Sequence, residues 1–137
     1  REIDTGSFSL GGFDVAAMET RHSMRCHAYL LGAAGTDEDG GEVTISGDTE
    51  AFPGLASFAD GSDMLVHDCS FHDDVDVSNH PTPAILGETL AGHEFGSVYL
   101  THLYPHTRGN HRAMLDSLSA SYDGQVQFAR DGLTVET

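Results

Sequence analysis

An alternation of two hydrophobic periodicities between residues 43 and 129 is the feature that most constrains the fold of this chain. Short apolar runs typical of buried strands each precede a segment whose apolar side chains recur at helical spacing, and this unit occurs three times. Repeated strand–helix units fold with right-handed crossovers, which lay parallel strands side by side in one sheet. The alternation therefore predicts an α/β fold.

The predicted elements of this region also carry local start and stop signals. Gly61 is a typical helix stop, while Asn110 and Thr82, which precedes Pro83, are typical N-caps. The predicted strands are Val43–Ser46, Met64–His67 and Val98–Thr101. The apolar faces of the three predicted helices are formed by Phe52, Leu55, Phe58 and Ala59, then by Ile85, Leu86 and Leu90, and then by Met114, Leu115 and Leu118.

Further strands are predicted on both sides of this region. The acidic sequence TDEDGG at residues 36–41 reads as a surface turn that separates the first strands from the α/β units. Before the α/β units, one strand follows the Gly11-Gly12 turn and has Phe13, Val15 and Ala17 on one face, and a second strand covers Cys26–Leu31. After the α/β units, Val126–Ala129 and Leu133–Val135 are predicted to form an antiparallel pair about the Asp131-Gly132 turn.

The length of 137 residues suits one domain with a single core. The chain begins with Arg1, within sequence that already has the pattern of a folded segment, so we expect a fragment of a longer protein. It has no apolar run of transmembrane length and no signal segment, so we expect no membrane partner. Cys26 and Cys69 are too far apart for a CxxC motif and are expected to be buried thiols in a reducing, cytoplasmic compartment.

Acidic residues and histidines stand at the ends of all three central strands. Asp48 follows the first strand, His67 and Asp68 close the second, and His102 follows the third. Ligands of open α/β sheets bind beyond the carboxyl ends of the strands. Parallel strands therefore bring two carboxylates and two imidazoles to one edge of the sheet, which predicts a shared site there.

The residue types at this edge suit a catalytic metal. Asp and His with an open coordination position are the usual ligands of catalytic zinc, and a carboxylate can bridge two cations. Paired metal ions about 3.5–4 Å apart suit the hydrolysis of phosphoesters and related acyl or phosphoryl groups. A closed dinuclear centre needs further His and Asp ligands, and residues 1–137 contain no HxHxDH run to supply them.

Four short motifs resemble those of one family. SGDT, LVHDCSF, NHPT and LTHLYP occur in the order found in metallo-β-lactamase-fold hydrolases, and DGLTV resembles the closing hairpin of the branch that contains RNase Z and its phosphodiesterase-like relatives. The resemblance spans nearly all of the chain. It implies half of an αββα sandwich, with a mixed sheet and helices packed on one face, in which residues 1–137 are the carboxy-terminal half. The HxHxDH motif would then lie in an amino-terminal half outside this sequence.

The resemblance also assigns roles to individual residues. By position, Asp48 would be the metal-bridging carboxylate and His102 a ligand of the second metal. HDCS is similar to the HEAT motif of that branch, with Asp68 in place of Glu, and HPT to its HST motif, with Pro81 in place of Ser. Asp68 would then orient His80, which would protonate the leaving group. The remaining candidates, as pocket residues, are His22, His67 and His106.

The implied activity is that of a metal-dependent hydrolase, either a phosphodiesterase or an RNase Z-like enzyme. The resemblance implies two Zn²⁺ ions per complete domain, with Mn²⁺ as the alternative, and a small phosphoester or RNA as substrate. The isolated chain is expected to be inactive without its amino-terminal half. Two other interpretations stay open: a hydrolase of lactones or thioesters on the same fold, and a non-catalytic half-domain that pairs with another subunit or forms a homodimer through its exposed apolar face.

The charge balance is strongly acidic. The chain has 22 Asp and Glu residues against 6 basic residues, all of them Arg, and a formal net charge of −16. Such a surface repels itself in dilute buffer, whereas at about 1 M salt the Debye length falls to about 3 Å. The acidic residues are spread through every segment, which favours adaptation to a high-salt cytoplasm over a dedicated cation-binding or basic-partner surface. The same charge disfavours non-specific binding of nucleic acid.

Overall fold

A seven-stranded mixed sheet and three α-helices make up the structure, a computed structural model that describes residues 4–35 and 41–136. All but the last residue of the predicted acidic turn at 36–41 lie outside the described residues. The strands β1 to β7 are Gly6–Leu10, Phe13–Glu19, His27–Ala33, Val43–Ile45, Met64–Asp68, Ser97–Thr101 and Val126–Phe128. The helices α1 to α3 are Pro53–Ala59, Pro83–Leu90 and His111–Leu118, and a 3₁₀ turn covers Pro105–Thr107.

The strands lie in the sheet in the same order as in the sequence. Neighbours from β1 to β4 pair antiparallel, and neighbours from β4 to β7 pair parallel. The first hairpin turns at Gly11 and Gly12, whose φ angles of 60° and 88° are those that glycine adopts without strain. One helix follows each of β4, β5 and β6, so the predicted α/β arrangement with parallel strands is confirmed.

The main core lies between one face of the sheet and the three helices. Alternate residues of β5 and β6 face the helices, and the apolar side chains of α1 to α3 pack onto them. At Gly87, α2 passes so close to α3 that a Cβ atom would clash with the carbonyl oxygen of Leu118. No helix in residues 4–35 and 41–136 is long and apolar enough to cross a membrane. The fully buried members of this core include Leu65, Leu86, Leu90, Val98, Leu100, Met114 and Leu118.

The opposite face of the sheet is only partly covered. Ile45 is 42% exposed on this face, while Tyr99 is 6% exposed because residues 129–135 pass over it. Leu133 and Val135, both 38% exposed, line a groove of about 220 Å³ together with side chains of β5 and β6. This half-covered apolar surface is what a sheet presents when no second layer of strands or helices packs on that face.

Two predicted details are wrong. Ile85, predicted to be buried, is 51% exposed, and α2 instead buries Leu86 and Leu90. The predicted antiparallel hairpin at the end of the chain does not form in the described residues: β7 pairs parallel with β6, and Leu133–Val135 is an irregular segment after a turn. The edge strand β7 therefore gains its main-chain partners from β6 alone, and the following segment covers apolar side chains of the sheet instead.

His67 illustrates how alternation in β5 separates neighbouring residues. It lies two positions from Leu65, on the helix-covered face, and is 2% exposed. Its Nδ1 donates a hydrogen bond of 2.7 Å to the carbonyl oxygen of Asp68. Burial lowers the pKa of His67 below its ordinary value, because the charged imidazole loses its hydration, although the nearby carbonyl and carboxylate of Asp68 act in the opposite direction.

We expect His67 to make the fold less stable as the pH falls below about 6.5, the usual pKa of histidine. The unfolded chain takes up the proton in this range while the folded chain resists it, so protonation favours unfolding. Urea unfolding measured from pH 8 to pH 5 should show a steeper loss of stability in the original chain than in His67→Gln. His111→Gln, at an exposed position, is the matched control and should keep the steep loss. Identical pH profiles for the original chain and His67→Gln would contradict this account.

Candidate metal and catalytic site

The turn after β4 places Asp48 at the carboxyl edge of the sheet. Gly47 has a φ of 62°, and a Cβ atom there would lie 2.7 Å from the carbonyl oxygen of His27, so the position requires glycine for both reasons. The hydroxyl of Thr20 donates a hydrogen bond of 3.1 Å to the carbonyl oxygen of Asp48, which ties this turn to the segment after β2. The carboxylate of Asp48 remains 42% exposed.

Asp68, at the end of β5, is fully buried but has a complete set of hydrogen-bond donors. Its Oδ1 accepts a bond of 2.6 Å from the hydroxyl of Ser70. Its Oδ2 lies 2.6 Å from Nδ1 of His80 and accepts a bond of 3.2 Å from the backbone N–H of Thr49. A buried carboxylate is costly unless it is paired in this way. Both oxygens of Asp68 are therefore engaged by groups of the protein.

His80 comes from the loop between β5 and α2. The preceding residue, Asn79, has a φ of 67°, a conformation that asparagine tolerates better than most residues, and its N–H donates to Oε1 of Glu50 at 3.3 Å. The His80 side chain is 13% exposed. The His22 ring packs edge-on against it with centroids 5.0 Å apart. The loop is thus held so that the imidazole of His80 meets the carboxylate of Asp68.

His102 follows β6 in a strained backbone conformation. Its φ of 58° lies in the left-handed region, where a non-glycine residue costs about 1–3 kcal/mol. Its Nδ1 lies 2.9 Å from the hydroxyl of Ser70, 3.6 Å from Oδ1 of Asp48 and 3.7 Å from Oδ1 of Asp68. The carboxyl ends of β4, β5 and β6 therefore meet at one point, as the sequence predicted.

The donor groups at this point fit a divalent cation. One donor atom from each of Asp68, His80 and His102 lies within 4.8 Å of the other two, and Asp48 stands beside His102. Proximity alone would make Asp68 a ligand. However, both of its oxygens already accept hydrogen bonds from the protein, whereas Asp48 and His102 are more exposed, at 42% and 37%. The hydrogen bonding thus favours Asp48 and His102 for the metal, and Asp68 for holding His80.

The three candidate pocket histidines lie in different surroundings. His22 contacts His80, and its Nδ1 is 3.8 Å from Sγ of Cys26, whose pKa is raised by burial and by the charge of Asp48. His106 lies at the rim, with its ring centroid 6.0 Å from that of Phe71. His67 is buried among the helices and is not brought into this cluster.

Ser70 and two aromatic residues at the site were not singled out by the sequence analysis. The Ser70 hydroxyl contacts Asp68, His80 and His102. The rings of Phe71 and Tyr104 stack at 4.8 Å beside the two histidines. The position of Ser70, two residues after Asp68, is only a weak sequence signal for a role in the site. The contact between Ser70 and His102 forms only because β5 and β6 are neighbours in the sheet.

Comparison with solved structures identifies the fold that brings these residues together at the carboxyl edge of the sheet. The chain matches the metallo-β-lactamase fold protein YhfI of Bacillus subtilis with a TM-score of 0.79 and 23% identity, over 93% of this chain and 50% of that one. This chain has part of a metallo-β-lactamase fold. The short form of human tRNase Z gives a TM-score of 0.66 at 17% identity, over 94% of this chain and 45% of that one. A diphosphatase of the PhnP family gives 0.65 at 17% identity, over 98% and 47%.

A curated relative supports the same placement within the metallo-β-lactamase fold. Ribonuclease Z of Myxococcus xanthus is 31% identical over 106 residues, which are 74% of this chain and 34% of that protein. No protein-family model matches the chain. The predicted resemblance to the RNase Z-like branch is confirmed by these similarities. The chain spans about a third of this curated relative and about half of each of the three solved structures named above.

Proposed function

We propose that this chain is the carboxy-terminal half of a divalent-metal hydrolase that cleaves phosphoesters. The observation that carries the proposal is the hydrogen-bonded pair of Asp68 and His80 beside the more exposed Asp48 and His102. A carboxylate, an imidazole that it orients and two further donors at one sheet edge are the parts that such a reaction requires. Hydrolase relatives with the same fold support the proposal.

Asp48 and His102 would hold the metal, together with His and Asp ligands from an amino-terminal half. A bound divalent cation, Zn²⁺ in this proposal, lowers the pKa of water and stabilises developing negative charge. Asp68 accepts the Nδ1 proton of His80 in a hydrogen bond, so the Nε2 of His80 is the nitrogen left to exchange a proton with a substrate. Protonated at Nε2, His80 would give its proton to the departing oxygen, as a general acid does.

A small phosphoester is the substrate that we propose first, with RNA as the alternative. With a net charge of −16, the chain gains little from phosphate contacts along a nucleic acid, and high salt removes most of that gain. The relatives named above include two ribonucleases, Ribonuclease Z and tRNase Z, and a diphosphatase. A panel of aryl phosphodiesters, RNA, lactones and thioesters, assayed with the same preparation, separates these substrate classes and the acyl-ester alternative.

A non-catalytic half-domain is the second candidate, and the partly covered sheet face favours it. Ile45, Leu133 and Val135 expose apolar surface that a second sheet layer or another subunit would cover. In that case the protein would pair through this face and bind no stoichiometric metal. Metal content therefore separates the two candidates.

We expect the complete protein that contains this chain to hold about two divalent ions, and the 137-residue chain to bind metal only weakly. Asp48 and His102 are too few to close a coordination shell by themselves. Elemental analysis of the complete protein should show loss of at least one ion in Asp48→Ala and in His102→Ala. Asp74→Ala, which removes an exposed acid outside the cluster, should change nothing. Tight stoichiometric zinc on the 137-residue chain, or full metal content in Asp48→Ala, would contradict the proposed ligands.

A further inference from the structure

Two backbone hydrogen bonds extend the pairing of β5 and β6 beyond the ends of the strands. The N–H of Cys69 donates to the carbonyl oxygen of Thr101 at 3.1 Å, and the N–H of Tyr104 donates to the carbonyl oxygen of Ser70 at 3.1 Å. These bonds clamp the loop that carries Ser70 against the loop that carries His102. The buried Ser70 hydroxyl is therefore held between the two loops, within reach of three functional side chains.

The proton count at Ser70 determines the direction of its hydrogen bonds. A hydroxyl has one proton to donate, and an ionised carboxylate only accepts. Ser70 Oγ lies 2.6 Å from Oδ1 of Asp68, which is the shortest of its three contacts, so its proton goes to that oxygen. The Nδ1 of His102, 2.9 Å from the same Oγ, must then carry a proton and donate it to Ser70. By the same reasoning, His80 donates its Nδ1 proton to Oδ2 of Asp68.

We propose that Ser70 is a positioning residue that fixes His102 in the tautomer protonated at Nδ1, so that its Nε2 lone pair is free for a divalent cation. The metal in this statement rests on the proposed function, whereas the tautomer does not. The other oxygens that face Nδ1, from Asp48 and Asp68, lie at 3.6 and 3.7 Å, beyond hydrogen-bond distance. Partners that orient a metal-binding histidine in this way typically change metal affinity by about 10–100-fold when removed.

Ser70→Ala tests this role directly. Nuclear magnetic resonance of the ¹⁵N-labelled, chelator-treated 137-residue chain, well above the usual pKa of histidine, reports which ring nitrogen carries the proton. We expect both His80 and His102 to be protonated at Nδ1 in the original chain. In Ser70→Ala, His102 should shift toward the Nε2-protonated form that free histidine prefers, while His80, still held by Asp68, should not. Ser70→Thr, which keeps the hydroxyl, should restore His102.

Ser62→Ala provides the matched control, because Ser62 is an equally buried serine whose hydroxyl bonds Thr44 at 2.7 Å, away from the site. It should leave the tautomers of both histidines unchanged. In the complete protein, Ser70→Ala should weaken Zn²⁺ binding by about 10–100-fold and Ser62→Ala should not. A His102 protonated at Nε2 in the original chain, or unchanged in Ser70→Ala, would overturn the proposal even if the protein is a hydrolase. Correct tautomers with no metal bound would instead refute the proposed function alone.

Discussion

Replacing His80 with alanine in the complete protein should lower kcat for a phosphodiester by about 10²–10⁴-fold while leaving the bound metal in place. The reason is that His80 is the imidazole whose Nδ1 is held by Asp68 at 2.6 Å, so its loss removes proton delivery to the leaving oxygen. Its loss leaves Asp48 and His102 in position. Parallel measurements of kcat and of metal content by elemental analysis check both parts of this expectation.

An Asp68 variant tests the same role of His80 more specifically. Asp68→Asn keeps the size of the side chain but can offer His80 an N–H in place of an acceptor, so it should lower kcat almost as much as the loss of His80. A substrate with a good leaving group, such as p-nitrophenolate, needs less protonation and should lose much less activity in both variants. His72→Ala is the control, because His72 pairs with Asp74 in the same loop at 3.7 Å but lies outside the cluster. Loss of metal together with activity in His80→Ala would mean that His80 is a ligand instead.

The convergence of Asp48, Asp68 and His102 could be predicted because it depends only on strand direction. Parallel strands end at the same edge, and the residue after each strand is read directly from the sequence. His80 required the family resemblance, since it lies in an irregular loop with no periodic pattern. The sequence alone could not show that Ser70 contacts three site residues, because its contact with His102 requires β5 and β6 to be neighbours in the sheet.

The predictions that were wrong or missing concern segments whose local sequence pattern is weak or misleading. Ile85 sits in a helix of eight residues, which is too short for its apolar pattern to define one face. β1, with serines alternating between apolar residues and most positions exposed, gave too weak a signal to be predicted. The Asp131-Gly132 turn suggested a hairpin, but tertiary contacts decide where the last apolar residues go. At the end of the chain, the turn preference of Asp131-Gly132 therefore gave the wrong prediction, because the following apolar residues pack onto the sheet instead of forming a hairpin.

The acidic surface should make the stability of the fold depend strongly on the salt concentration. Among the described residues, the ion pairs made by arginine, Arg25–Asp4 and Arg112–Asp116, are both highly exposed and are expected to contribute little. Most of the 22 acidic residues therefore repel one another without compensation from the 6 arginines. At about 0.01 M salt the Debye length of about 30 Å lets this repulsion act across the whole domain, whereas at about 1 M it is about 3 Å.

We therefore expect the chain to be folded in molar KCl and to unfold as KCl is lowered to the millimolar range, as followed by far-ultraviolet circular dichroism. Because net charge causes this loss, a variant with fewer charges should need less salt to stay folded. Glu88→Gln, Asp76→Asn and Asp123→Asn together remove three exposed charges outside the proposed metal site and should shift the unfolding midpoint to lower KCl. The conservative exchanges Glu88→Asp, Asp76→Glu and Asp123→Glu keep the net charge and should leave the midpoint unchanged. Stability that does not change between molar and millimolar KCl would show that the acidic surface serves something other than salt adaptation, because self-repulsion of this size cannot be independent of screening.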